Sequence, residues 1–220
     1  MANVCVGVLA SGRGSNLQAV IDECAAGRIP ARIAVVVSDR EQAPALERAR
    51  RHGITAVWLN PKEYASRAAY DAAAAVQLQR YGVDLVVLAG YMRIVTAALI
   101  GPFRNRILNI HPSLLPAFPG LHAPRQAFEW GVTLSGCTVH FVDESLDGGP
   151  IVIQAAVPVL PDDTVERLEA RIQEQEHRIL PEAIRLFALG QLRVEGRRVI
   201  AEGVAADGMP LLNPCAKPGA

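Results

Sequence analysis

Hydrophobic residues in the first half of the chain occur in short runs, separated by longer amphipathic segments. The runs predict strands that are buried on both faces, because such strands are apolar without alternation. These strands are 4–10, 31–37, 54–59 and 83–89, and the helices between them begin near Ser15 or Asn16 and cover 44–51 and 62–80. Strands that alternate with helices form a parallel sheet with right-handed crossovers. We therefore expect a doubly wound α/β fold with helices on both faces.

Prolines and loops interrupt this rhythm in the second half. A strand at 107–110 runs into a proline-rich loop, and further strands are expected at 132–142 and 151–159. A short helix is expected at 123–130 and a long one at 164–189, in which Pro181 should cause a kink or mark a junction. We expect one mixed, mostly parallel sheet in a single domain over 1–192. The extension 193–220 should be partly ordered and should fray past Gly203.

Composition narrows the class of protein. The 22 basic and 22 acidic residues cancel, which argues against a dedicated nucleic-acid binder. The apolar runs are too short to span a membrane, and the first residues show neither a basic region nor a small-residue cleavage site, so we do not expect secretion. The four cysteines show no C-x-x-C spacing, which is typical of reduced thiols and favours neither disulfides nor a metal site. We expect a cytoplasmic protein, monomeric or homodimeric, that acts on small molecules.

A glycine-rich turn, 11–16, joins the first strand to the first helix. Ligands of open α/β sheets bind beyond the carboxyl ends of strands. The backbone N–H groups of Gly14, Ser15 and Asn16 lie at a helix N-terminus, where the helix dipole favours an anion. Arg13 adds a positive charge nearby. The turn therefore predicts a phosphate site, although a turn that binds nothing is the structural alternative.

A dinucleotide site is a second interpretation of the same turn. Gly12 and Gly14 match the start of the Rossmann fingerprint, and Asp39 follows the second strand at a suitable distance. Leu17, however, occupies the position of the third glycine. The pattern therefore favours the phosphate of a mononucleotide over NAD.

A second polar cluster is the pair Asn109 and His111. Residues two apart on a strand face the same side, so the amide and the imidazole point to one spot. An amide N–H donor beside a group that titrates near neutral pH suits a reaction in which an oxyanion forms and a proton moves. A purely structural role for both residues is the alternative.

A third cluster supplies a carboxylate and further histidines. Asp147 lies in a turn, 147–150, whose glycines permit close approach, and its charge near His111 would stabilise the imidazolium. His122 and His140 could join His111 in a metal site, but no histidine spacing of the usual kind supports one. The spacing therefore favours acid–base chemistry over a metal centre.

Three segments together resemble the phosphoribosylglycinamide formyltransferases, the folate-dependent transformylases of purine synthesis. They are S-G-R-G-S-N-L at 11–17, N-I-H-P-S-L-L-P at 109–116, and T-V-H at 138–140 followed by D-G-G-P at 147–150. The second segment marks the wider formyltransferase superfamily, and the first narrows the resemblance to the phosphoribosylglycinamide enzymes. The resemblance runs from Val4 to about Leu192 and implies a formyltransferase-like domain. Residues 1–100 would form its phosphate-binding half, and 101–192 its catalytic and folate half.

The resemblance implies transfer of a formyl group from the co-substrate 10-formyltetrahydrofolate to the amine of glycinamide ribonucleotide, without metal, NAD or a covalent enzyme intermediate. Asn109, His111 and Asp147 would be catalytic. Gly14, Ser15 and Asn16 would hold the phosphate, with Gln173 and Glu176 on the rest of the ribonucleotide. Arg67 would meet the acidic tail of folate. The folate pocket would comprise Met92, Arg93, Ile94, Val95, Asn109, His140, Asp143, Glu144, Ser145, Leu146 and Asp147.

The chain departs from this family at Pro124, where members often carry a second histidine two residues after the position of His122. Three alternatives share parts of the pattern. Methionyl-tRNA formyltransferase normally has a further C-terminal domain, and formyltetrahydrofolate hydrolase an N-terminal regulatory one, and we expect neither here. A non-catalytic binding protein would have no need for Asn109, His111 and Asp147 together.

Overall fold

The computed structural model describes residues 3–203, which form one nine-stranded sheet with helices on both faces. The strands are β1 (Val4–Leu9), β2 (Ala31–Ser38), β3 (Thr55–Trp58), β4 (Leu85–Leu88), β5 (Ile107–His111), β6 (Leu134–Phe141), β7 (Ile151–Pro158), β8 (Leu192–Glu195) and β9 (Arg198–Ala201). The helices are α1 (Ser15–Ala25), α2 (Pro44–Arg51), α3 (Arg67–Arg80), α4 (Ala97–Ile100), α5 (Ala123–Trp130) and α6 (Val165–Ala188). None of these helices is long and apolar enough to cross a membrane.

The strand order is β3-β2-β1-β4-β5-β6-β7-β9-β8. Strands β1 to β5 are parallel, whereas β6 is antiparallel to both of its neighbours. The predicted doubly wound, mixed and mostly parallel sheet is therefore confirmed. The order reverses between β1 and β4, which is the switch point where such sheets bind ligands.

Successive strand residues enter two separate cores, which explains the unbroken apolar runs of the sequence. On β4, Val87 packs in the core shared with α1, α2 and α6, and its neighbour Val86 packs in the core shared with α3 and α4. Both side chains are fully buried. A strand covered on both faces needs apolar residues at every position, so its sequence does not alternate.

Two helices differ from the prediction, one in where it begins and the other in its continuity. The segment predicted to be helical from residue 62 contains a 3₁₀ turn, Pro61–Glu63, and α3 begins only at Arg67. The hydroxyl of Ser66 accepts the N–H of Ala69 at 3.1 Å, which starts the helix there. Helix α6 runs through Pro181 without a break, so this residue marks no junction.

The hydrophobic pattern predicted no strand after residue 159, yet β8 and β9 form a hairpin at the edge of the sheet. Val194 and Val199 pair across this hairpin and pack against the larger core. Strands of four residues are too short for a clear periodicity. The predicted fraying past Gly203 lies outside the described residues.

Strand register brings the ends of β1 and β4 to one level. Leu9, the last residue of β1, pairs with Leu88, the last of β4, and Leu88 pairs with Asn109 on β5. Asn109 in turn pairs with His140 on β6. Strand β5 continues for two residues beyond this level, so His111 projects past the edge at which its parallel neighbours end.

The core beneath the first loop should tolerate little loss of volume. Leu17 is fully buried in the larger core, so Leu17→Ala should lower the free energy of unfolding by about 2–5 kcal/mol. Val76→Ala, at an exposed position of α3, is the matched control and should stay within about 0.5 kcal/mol. Urea denaturation measures both, and a similar small effect of the two variants would contradict this account of the core.

Candidate active site

A cleft of about 850 Å³ opens at the end of the sheet where β1 and β4 stop. Residues from five parts of the chain line it: 12–16 after β1, 88–95 from the last residue of β4 onward, 109–112 on β5 and its loop, 120–122 and 124 around the start of α5, and 140 and 142–147 around the end of β6. One face of α6 completes the wall with Ile172, Gln173 and Glu176. The three polar clusters found in the sequence thus face one cavity.

The loop at 12–16, called the phosphate loop below after its predicted ligand, leads into an uncapped helix N-terminus. Gly14 precedes α1 with φ +74°, and no side chain caps the helix there. The first N–H groups of a helix have no partner within the helix, so they remain available to an anion. A Cβ on Gly14 would lie 2.9 Å from the Cα of Ala45, so neither the backbone angle nor the space admits a larger residue.

Helix α6 is joined to this loop by two side-chain hydrogen bonds. The amide of Asn16 donates to the Glu176 carboxylate at 2.9 Å, and the amide of Gln173 donates to the Ser15 hydroxyl at 3.1 Å. Burial raises the pKa of Glu176, and the Asn16 donor opposes that shift. Four of the residues assigned to the ribonucleotide therefore come together although 158 or more positions separate the two segments.

The three residues predicted to be catalytic are in mutual contact. Nδ1 of His111 lies 3.4 Å from one carboxylate oxygen of Asp147, and the Asn109 amide nitrogen lies 3.5 Å from the other. Nε2 of His111 is 2.9 Å from the carbonyl oxygen of Phe118. Since a carbonyl only accepts, Nε2 carries the proton of that bond, and His111 faces the carboxylate through Nδ1.

His140 fixes the orientation of the Asn109 amide. Its Nδ1 donates to the carbonyl of Phe141 at 2.8 Å, so its Nε2, 3.1 Å from the Asn109 amide nitrogen, accepts. Burial lowers the pKa of His140, which keeps the ring neutral and able to accept. The Asn109 nitrogen is therefore held toward Asp147. His140 thus supports Asn109; it also lines the cleft, and its assignment to the folate pocket stays a prediction.

Backbone constraints hold Asp147 in place. Asp147 has φ +49°, a left-handed conformation that non-glycine residues rarely adopt and that is often found at functional sites. Gly120 donates its N–H to the Asp147 carboxylate at 2.8 Å. A Cβ on Gly149 would overlap the carbonyl oxygen of Phe141, so the turn packs directly on β6. The carboxylate is therefore positioned by its own turn and by the loop before α5.

Comparison with known proteins shows the family of this chain. The formyl transferase family model matches residues 4–184. The chain belongs to this family. It is 46% identical to phosphoribosylglycinamide formyltransferase of Escherichia coli (strain K12), over 91% of this chain and 98% of that protein. It also resembles glycinamide ribonucleotide transformylase 1 from Symbiobacterium toebii, with 62% identity, a TM-score of 0.90 and coverage of 91% and 94% of the two chains.

A third relative is a larger protein. The chain is 44% identical to the human trifunctional purine biosynthetic protein adenosine-3, over 86% of this chain but 19% of that protein. This formyltransferase thus corresponds to one segment of that relative.

The residues predicted for the folate pocket line the cleft on the side away from the phosphate loop, with the exception of Arg67. Met92, Ile94 and Leu146 are each 55% exposed at its mouth, which leaves an apolar surface open to a ligand. The guanidinium of Arg93 lies 4.4 Å from the centre of the Tyr70 ring. Arg67 is exposed at the start of α3, outside the lining of the cleft. Its contact with an acidic tail stays a prediction.

The structure also bears on the loop around Asp143, on Pro124 and on the alternative of a metal site. Asp143 accepts the N–H of Ser145 at 2.9 Å, which folds the loop that carries Asp147. Pro124 lines the cleft beside His122 and is the second residue of α5. Among residues 3–203, no group of three or more His, Cys, Asp or Glu side chains is arranged to hold a metal ion.

Ser11 supports two loops of the cleft, a role that the sequence motifs did not indicate. It is almost fully buried, its N–H donates to the carbonyl of Gly90 at 3.0 Å, and its hydroxyl accepts the N–H of Met92 at 2.9 Å. The phosphate loop and the loop after β4 are therefore tied to each other. A buried serine directly after the first strand was the signal that could have indicated this.

Burial of Glu176 should cost stability at neutral pH. Its folded-state pKa is raised, so the cost is absent when both states are protonated and grows as the pH rises above the unfolded value. Glu176→Gln should therefore raise Tm at pH 7.5, by about 2–4 °C for each 1 kcal/mol gained, and by less at pH 4.5.

Thermal denaturation at the two pH values measures this difference. Glu174→Gln, at an exposed position of the same helix, is the control and should change Tm little at either pH. An equal gain for Glu176→Gln at both pH values, or a loss at pH 7.5, would show that burial of the charge is not the dominant effect.

Proposed function

We propose that this formyltransferase transfers the formyl group of 10-formyltetrahydrofolate to the primary amine of glycinamide ribonucleotide. The products are formylglycinamide ribonucleotide and tetrahydrofolate, as a step of purine synthesis. One observation carries the proposal: Asn109, His111 and Asp147 lie in a single cleft, between the uncapped N-terminus of α1 and an apolar mouth. Two substrates of different chemistry thus have separate sites that meet at one cluster.

The ribonucleotide is supported by the phosphate loop and α6. The uncapped N-terminus of α1 presents backbone donors to a phosphate, and Arg13 stands exposed beside it. Gln173 and Glu176, one turn apart on α6, add polar groups deeper in the same cleft. A nucleotide phosphate fits the loop, and hydroxyl and amine groups fit the polar face of the helix.

The folate is supported by the apolar mouth of the cleft. A pterin ring has flat apolar faces and a polar edge, and pockets for such ligands combine apolar walls with a few polar groups. The loop after β4 supplies Met92 and Ile94, and the opposite loop supplies Leu146. The co-substrate supplies the formyl carbon, which would sit between these loops and the catalytic cluster.

In the proposed mechanism, Asn109 and protonated His111 donate hydrogen bonds to the formyl oxygen, on which negative charge develops as the amine attacks. Asp147 stabilises the protonated ring and, directly or through water, helps to move a proton from the attacking nitrogen to the departing folate nitrogen. Each long contact of Asp147, 3.4 Å to His111 and 3.5 Å to Asn109, can give way to a substrate atom. Catalytic hydrogen bonds are often loose before substrate binds.

A paired assay tests the proposal. Deformylation of 10-formyltetrahydrofolate, followed by absorbance, should occur only when glycinamide ribonucleotide is present, and mass spectrometry should find the formylated product. Turnover without the ribonucleotide would instead indicate a hydrolase, which uses water as the acceptor. No turnover in either case would reject the proposal.

Substitution of Asp147 tests the mechanism. Asp147→Asn should lower kcat by about 10²–10⁴, the usual contribution of acid–base catalysis, with a much smaller effect on both KM values. Asn109→Ala should lower kcat by about 10²–10³, because one donor to the developing oxyanion is lost. The control is Asp162→Asn, an exposed carboxylate outside the cleft. Full kcat in Asp147→Asn would remove that carboxylate from the mechanism.

A further inference from the structure

Helix α2 packs against the rear of the phosphate loop, on the side away from the cleft. The N–H of Ala45 donates to the carbonyl of Gly12 at 3.2 Å, and Ala45 is fully buried. Gly14 lies so close to Ala45 that no Cβ fits between them. The loop is therefore held between α2 and the cleft, and its path depends on backbone contacts with α2.

Arg48 adds a specific contact from the same helix. Its Nε donates to the carbonyl oxygen of Arg13 at 2.9 Å, and its terminal nitrogen donates to the Gln18 side chain at 3.2 Å. Gln18 lies on α1 and also donates to Asp22 at 2.8 Å. Arg48 does not line the active-site cleft. Its guanidinium instead bridges the phosphate loop and the first turn of α1 from behind.

The bond to the Arg13 carbonyl determines where the N–H of Gly14 points. The peptide between Arg13 and Gly14 is planar and trans, so its C=O and N–H point in opposite directions. The Arg13 carbonyl accepts a hydrogen bond from Arg48, so the N–H of Gly14 points away from that guanidinium, and Gly14 itself lines the cleft. Because a glycine adopts φ of either sign at little cost, the backbone at Gly14 does not by itself fix this peptide, and the bond from Arg48 restrains its rotation.

We propose that Arg48 is a positioning residue for phosphate binding, which acts by holding the Gly14 N–H toward the anion. The inference rests on the proposed function for the identity of the full substrate, but the loop needs only a phosphate. Arg48 also brings a positive charge close to the loop. Orientation and charge are separable, because a lysine keeps the charge but lacks the planar fork that bonds Arg13 and Gln18 together.

Calorimetric titration with ribose 5-phosphate and with glycinamide ribonucleotide tests the proposal. Arg48→Met should weaken binding of both about tenfold, the loss of one charge-assisted donor. Arg48→Lys should recover less than half of that loss, on a logarithmic scale. KM for 10-formyltetrahydrofolate and kcat at saturation should stay within about twofold of the wild type, because the catalytic cluster is untouched.

The matched control is Arg50→Met, which removes the same charge from an exposed position of α2. It should leave both affinities unchanged. Full recovery by Arg48→Lys would show that charge alone matters and would overturn the proposal. An equal loss in Arg50→Met, or a fall in kcat with Arg48→Lys, would overturn it as well.

An NMR measurement of the Gly14 amide tests the same proposal directly, and it can be made on a variant that has lost some stability but still folds. In protein labelled with ¹⁵N-glycine, the Gly14 amide signal should shift when ribose 5-phosphate is added to the wild type and shift less in Arg48→Lys. The same shift in both proteins would overturn the proposal. If the wild type binds ribose 5-phosphate but does not formylate the ribonucleotide, the proposed function fails while this inference is still tested by the same titrations.

Discussion

The whole site depends on the register of four strands. Leu9, Leu88, Asn109 and His140 stand side by side across β1, β4, β5 and β6. The first two strands end at this level, and β5 continues, so polar groups can gather over the ends of two strands and beside a third. A shift of one residue in β5 would turn Asn109 and His111 to the opposite face, because side chains alternate along a strand. That shift is opposed because it would put the polar Asn109 into the larger core in the place of Leu108 or Ile110.

Contacts that are distant in sequence then fix the orientation of each polar group. His140 is paired to Asn109 by the antiparallel β6, and the carbonyl of Phe141 sets its tautomer. Ser11 ties the two loops that follow β1 and β4. Glu176 and Asn16 connect α6 to the phosphate loop. Buried polar groups of this kind are costly unless they are paired, so each pair offsets part of that cost and restricts the site to one arrangement.

The sequence predicted most of the architecture because β1 to β7 are apolar runs bounded by turns. It also predicted that Asn109 and His111 face one spot, since that follows from the period of a strand. The start of α3 and the β8–β9 hairpin were missed, because a single capping serine and two four-residue strands leave weak patterns. The roles of His140 and Arg48 require pairing between segments 31 and 35 residues apart, which no local pattern encodes. The role of Arg67 came from family resemblance alone, and no contact of the described structure bears on it.

The distances around Asp147 separate two kinds of contact. Those that involve backbone groups are short, 2.8 Å from Gly120 to Asp147 and 2.9 Å between His111 and Phe118. Those between the catalytic side chains are longer, 3.4 Å and 3.5 Å. A hydrogen bond weakens as it lengthens, so a substrate atom that replaces the long contacts displaces little favourable interaction. In the proposed mechanism, the short contacts meanwhile keep the donors aimed at the place where charge develops. Preorganised donors need no reorganisation during the reaction, which is the main source of electrostatic catalysis.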